Sequence, residues 1–297
     1  MPSDAAPTTR PDKERWHQFL LSHDVNPWVA GIWSARARKC ARIELNNILM
    51  PRPPVGSSRF GGMPDLVSED DWPVRNGHRL SLLAQIDLAE IADLPTGLDL
   101  PAAGLLQFFF DLDDPAWIFA DELDMGGFRV RYVQDGSPLV AMKSEPAVAP
   151  MAYGLKFTPS ECLPDWWWMH DWLQRETSFT EDQIDDFRFE FDDETWDATE
   201  NDGNLLGGWP ATIQHPMELE CELASKGIPP GKREYVSEWT ASGASRAEDW
   251  RLLLQLDSME RELGWMWGDV GKLYFWCRQQ DIAERRFDRA WVILQCT

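Results

Sequence analysis

The 297 residues carry 28 Lys+Arg against 50 Asp+Glu, a formal net charge of −22, and 43% of them are hydrophobic, with 17 Trp and 14 Phe. Disordered acidic chains lack the aromatic surface needed to offset conformational entropy, so this charge sits on a folded body. The charge argues against direct binding of nucleic acid or an anionic membrane, which need clustered Lys and Arg, and favours a basic protein partner.

Residues 1–10 are Ser, Thr, Pro and Ala without an apolar run, the pattern of a flexible tail that is no signal peptide. Residues 11–50 are expected to form N-terminal helices. Asp12 to His23 places Trp16, Phe19 and Leu20 at helical spacing. Asn26 and Pro27 open a second helix, with Val29, Ile32 and Trp33 on one side and Arg36, Arg38, Lys39 and Arg42 on the other, cations gathering toward its C-terminal end. Pro51, Pro53 and Pro54 stop it.

Strand signals follow, and two stretches repeat the same order of parts. The first, within 51–160, runs Phe60-Gly-Gly-Met-Pro64, Leu82-Leu-Ala-Gln-Ile-Asp87 and Gly104-Leu-Leu-Gln-Phe-Phe109. The second, within 203–297, runs Leu206-Gly-Gly-Trp-Pro210, Leu253-Leu-Gln-Leu-Asp257 and Gly271-Lys-Leu-Tyr-Phe-Trp276. Three blocks in one order predict an internally duplicated sheet motif, with an insertion in the second copy at Met217 to Asp249, where Pro229, Pro230 and Gly231 supply turns. Strand alternation puts Gln85 and Asp87 on one face, the Phe108-Phe109-Phe110 run reads as a central strand, and Phe128 to Gln134 reads as a half-exposed one. The expected fold is α+β, β-rich, with 51–297 forming one compact domain.

Between the copies, 161–202 is a Trp-rich and acidic insertion. Trp166, Trp167, Trp168 and Trp172 cannot all face inward on one element, so part of the cluster is exposed. From Glu176 to Asp202 twelve acids face only Arg188, which places half the net charge in 27 residues. Phe187, Phe189 and Phe191 alternate with Arg188 and Glu190 there, the pattern of a short strand with one apolar face.

Together the blocks above, with Trp267-Gly-Asp-Val-Gly271 and Leu294-Gln-Cys296, resemble the YwqG-like family, a bacterial domain of unknown function, over roughly Leu45 to Thr297. The resemblance implies a β-rich duplicated fold and carries no activity, cofactor or catalytic residue with it. It also implies a link to immunity proteins of bacterial toxin systems, where members of the family are met.

Two candidate sites follow. The first is a partner-binding face made of Asp182, Asp185, Asp186, Glu190, Asp192, Asp193, Glu194, Trp167 and Trp168, set against a basic protein such as a toxin. The second is a cleft between the repeats, lined by Gln85, Asp87, Gln255, Asp257, Trp267 and Asp269, which would take a small molecule or a carbohydrate, or serve an unrecognised hydrolase. For the Gln and Asp residues the competing structural reading is that they tie the Gly-Gly turns to the sheet. Catalytic templates fail: the five His form no His-Glu-x-x-His, no Walker Lys follows a Gly-rich loop, and Gly243-Ala-Ser-Arg-Ala247 lacks the last Gly of a nucleophile elbow. The acids lack a calcium-loop order, so neither metal nor cofactor is expected. Five scattered cysteines without a Cys-x-x-Cys pair read as reduced thiols in a cytoplasmic protein.

Overall fold

The computed structural model describes residues 12–49, 53–113, 126–143, 151–188, 201–228 and 247–297. Helix α1 (Lys13–Ser22) begins where the Asp12 carboxylate accepts from the Arg15 N–H at 3.0 Å, and it buries Trp16 and Leu20 one turn apart. Helix α2 (Pro27–Ser34) is capped by Asn26, with Pro27 in its first turn. It stops at Ser34, so the expectation of a helix running through Arg42 is corrected: Arg38, Lys39 and Arg42 lie on strand β1 (Arg38–Leu49). The physical reason is tertiary. β1 is flanked on both sides by hydrogen-bonded strands, and that pairing overrides a charge pattern that also suits a helix terminus.

The further strands are β2 (Arg59–Gly61), β3 (Asp65–Leu66), β4 (Val74–Arg75), β5 (His78–Arg79), β6 (Ser81–Asp87), β7 (Leu105–Phe110), β8 (Phe128–Val133), β9 (Val140–Ala141), β10 (Ala152–Cys162), β11 (Asn204–Gly207), β12 (Trp250–Asp257), β13 (Lys272–Arg278) and β14 (Trp291–Gln295). Ten of the strands make one antiparallel sheet in the order β14-β13-β12-β11-β1-β10-β2-β6-β7-β8. The fold is thus α+β. The sheet curls until its ends face each other: Phe108 of β7 meets Phe275 of β13 at 5.1 Å between ring centroids, and Phe128 of β8 meets Trp291 of β14 at 5.5 Å. The main core fills the enclosed face, and near-closure leaves little open edge.

The outer arms, β2-β6-β7-β8 and β11-β12-β13-β14, share local geometry. Gly61 and Gly62 have φ of 70° and 75°, and Gly207 and Gly208 have φ of 75° and 81°. A Cβ on Gly208 would sit 2.6 Å from the Cys162 sulfur, and one on Gly62 would sit 2.8 Å from the Ala152 Cβ, so both turns need glycine for backbone angle and for space. Phe60 pairs with Ala84 where Leu206 pairs with Leu254, and register irregularities fall at Leu82/Ala84 and at Leu252/Leu254.

A second core joins the N-terminal helices to the Trp-rich insertion. Trp16, Leu20, Val29 and Trp33 of α1 and α2 pack with Trp166, Met169 and Leu173 of α3 (Trp166–Glu176) and Ile184 of α4 (Glu181–Arg188). The expected strand at Phe187 is corrected by α4: period-2 alternation over so few residues also fits a helix, and Ile184 and Phe187, three apart, share its inner side. Phe189 and Phe191 lie outside the described residues. Of the second-copy insertion, the short helix Glu218–Ala224 is described, while Pro229, Pro230 and Gly231 lie outside. Among the described residues, no helix is long and apolar enough to cross a membrane.

Candidate functional site

The repeat residues are spent on turns. Gln85 accepts the Asp65 N–H at 3.2 Å and donates to the Ser57 carbonyl at 3.2 Å and to the Asp65 carboxylate at 2.7 Å. Gln255 accepts the Ala211 N–H at 2.9 Å and donates to the carbonyls of Asn201 and Gly203 at 2.8 and 2.7 Å. Asp87 caps the turn Leu88–Ile91 through the Ala89 N–H at 3.0 Å, and Asp257 pairs with Lys272 at 2.9 Å. Trp267 is buried and donates to the Asp257 carbonyl at 3.0 Å, whereas Asp269 is exposed. Each Gln serves the turn of its own arm, so the structure does not bring the two together around one cleft.

The acidic face begins on α4. Asp182, Asp185 and Asp186 are exposed, together with Glu181, while Glu190, Asp192, Asp193 and Glu194 lie outside the described residues. α4 is held against α3 by its buried Ile184 and by Glu181, which accepts from Gln174 at 2.6 Å and meets His170 Nε2 at 3.1 Å. Donor atoms of His170, Glu181 and Asp185 fall within 4.8 Å of one another, a set able in principle to hold a divalent ion of nitrogen and oxygen preference. Trp167 and Trp168, adjacent on α3, face different ways. Trp167 is 43% exposed, and beyond it on the same helix layer Trp28 is 46% exposed and stacks edge-on to Phe179 at 5.5 Å. Trp168 turns inward to Trp209, 4.8 Å away.

Trp168 thereby lines a cavity of about 370 Å³ that no sequence pattern singled out. It lies where the α2–β1 junction, α3, the helix Glu218–Ala224 and the start of β12 converge, and its walls include Trp168, Trp172, Trp209 and Trp250. Among the described residues, four arginines also line it in a chain of net charge −22. Arg36 stacks over Trp172 at 4.2 Å and Arg38 over Trp209 at 3.3 Å, the planar guanidinium lying on the indole face. One terminal nitrogen of the half-buried Arg38, Nη1, is closed off from solvent with no hydrogen-bond partner among the described residues. Burial and the nearby Arg251 disfavour the charge on Arg38, although Glu218 and Glu248 oppose this. Burial likewise pushes the carboxyls of Glu218 and Asp171 above their usual range. The missed signal was Arg36, Arg38, Lys39 and Arg42: four cations in seven residues stand out in so acidic a chain.

One family model, described as a domain of unknown function (DUF1963), matches residues 58–296. No curated protein matches the chain. The matched stretch spans both outer arms and α3–α4, but it begins after β1, the strand that lies between β11 and β10 in the sheet.

Proposed function

The chain belongs to the family of a domain of unknown function (DUF1963), and from that premise we propose that it is a non-enzymatic binding protein of the immunity type, whose acidic α3–α4 face covers a basic protein partner. The observation carrying this reading is the exposure of Glu181, Asp182, Asp185 and Asp186 on a helix anchored from beneath by Ile184. A preformed acidic surface steers a cationic partner without paying to order a loop. Exposed Trp167 and Trp28 supply the large amphipathic side chains that anchor interfaces. The resemblance to the YwqG-like family supports a toxin as the partner class, and five free cysteines support a reducing, cytoplasmic setting. We read 51–160 and 203–297 as two copies of one unit within a compact domain, a reading supported by the parallel bonds of Gln85 and Gln255.

The test is charge reversal. The variant Asp182→Lys/Asp185→Lys/Asp186→Lys changes only exposed side chains, so the fold should hold. Its basic partner, identified by pull-down at low and moderate salt, should bind at least roughly tenfold more weakly and with a flatter salt dependence. Unchanged affinity and salt dependence would remove the basis of the reading.

A further inference from the structure

The Arg–Trp cavity stands apart from the acidic face, on the other side of α3's tryptophan run, and poses a problem of charge. A guanidinium remains protonated in proteins, so closing off an N–H of the half-buried Arg38 costs free energy unless that group finds an acceptor. Nη1 finds none. Its neighbours do not supply one: Arg251 is itself a cation, engaged with the Glu248 and Trp250 carbonyls and with Gln279 at 2.9 Å, and Arg36 donates to the Ile32 carbonyl at 2.9 Å. Native proteins rarely leave such a donor unmatched, and Arg38 itself is only half-buried and lines the cavity, so a ligand's acceptor that enters there meets its side chain.

We propose that this cavity binds a small organic monoanion, a carboxylate carried on a planar ring, with the carboxylate on Arg38. Three observations set that chemistry. Among the described residues, the ionisable side chains lining the cavity are Arg36, Arg38, Arg175 and Arg251 against Asp171, Glu218 and Glu248, a formal surplus of one positive charge. Arg175 is already paired with Asp171 at 3.1 Å. One negative charge balances the set, whereas a phosphate dianion would face three carboxylates with too few free cations. The arginines stacked on Trp172 and Trp209 leave guanidinium planes and indole walls that favour a flat ring over an alkyl chain. About 370 Å³ lies at the small end of ligand cavities, suited to one or two fused rings. The ion pair forms in a partly desolvated site, where a bidentate guanidinium–carboxylate contact is stronger than at the surface.

The experiment is calorimetric titration and thermal shift of the full chain with benzoate and indole-3-acetate, alongside benzyl alcohol and inorganic phosphate. Benzoate or indole-3-acetate should bind saturably and raise Tm, while benzyl alcohol and phosphate bind at least tenfold more weakly. Arg38→Gln should lower carboxylate affinity at least tenfold yet remain folded, because it deletes a half-buried cation whose Nη1 has no partner among the described residues. Trp172→Leu, which keeps Arg38 and removes a ring wall, should weaken indole-3-acetate more than benzoate. Equal binding of benzyl alcohol, equal or tighter binding of phosphate, unaltered carboxylate affinity in Arg38→Gln, or no carboxylate binding at millimolar concentration would each overturn the proposal.

Discussion

Two glycine turns, at Gly61-Gly62 and at Gly207-Gly208, are held to the sheet by the same device and differ in what surrounds it. In both, a buried Gln accepts the N–H four residues past the first Gly, at Asp65 or at Ala211, and donates to the carbonyl four residues before it, at Ser57 or at Gly203. A third group then reaches the turn from the next strand: Gln107 donates to the Asp65 carbonyl at 2.7 Å, and the Tyr274 hydroxyl donates to the Ala211 carbonyl at 2.5 Å. The first turn adds a buried ion pair, Arg59 to Asp65 at 2.9 Å, where the second has Leu205 and Ala211 at the matching offsets. The difference teaches that the backbone tie needs no charge. The Arg59–Asp65 pair is an elaboration whose Coulombic gain is set against the desolvation of two ions.

Removing one ion should give the largest effect. Asp65→Ala leaves Arg59 buried and charged, and strips an acceptor from the Gly56 N–H at 2.7 Å and from Gln85, so about 3–5 kcal/mol of stability should be lost in urea unfolding. A loss below about 1 kcal/mol would mean that water or another group rescues the site. The neutral turn should respond less strongly. Gln255→Leu orphans one N–H and two carbonyls around Gly207-Gly208, a cost of roughly 2–3 kcal/mol. Circular dichroism melts that gave Gln255→Leu a larger loss than Asp65→Ala would reverse the ranking of the two turns. The smallest change is expected when the first turn is rebuilt as the second. Arg59→Leu with Asp65→Ala removes both ions at once and should fall within about 1–2 kcal/mol of the parent, far from the sum of its single variants. An additive double variant would show that the two side chains act independently.

Much of this scaffold was legible because it is local. Paired Gly-Gly-x-Pro turns, alternating Leu-Leu-x-Gln-x-Asp strands and an all-apolar Phe run each follow from backbone angle or from a period of two, and all became turns and strands where expected. Errors came where local and distant demands diverge. The basic run after Trp33 suits a helix end, yet β10 and β11 draw it into the sheet as β1. Phe187 suits a strand, yet contacts made through Ile184 stabilise a helix on α3. The cavity was illegible for a related reason: Arg38, Trp172, Trp209 and Trp250 come from four separate stretches, and no spacing rule connects them.

The sequence by itself determined the fold class, the turn chemistry, the uneven spread of charge and the fact that the tryptophan run must split between inside and outside, since each depends on residue type and near neighbours. The tertiary structure decided that Gln85 and Gln255 tie separate turns, that the N-terminal helices share a core with α3 and α4, and that a terminal nitrogen of the half-buried Arg38 lies beside tryptophans with no acceptor among the described residues. Those outcomes depend on which distant groups arrive to satisfy a buried donor or cover an apolar face, and long-range packing sets that arrival.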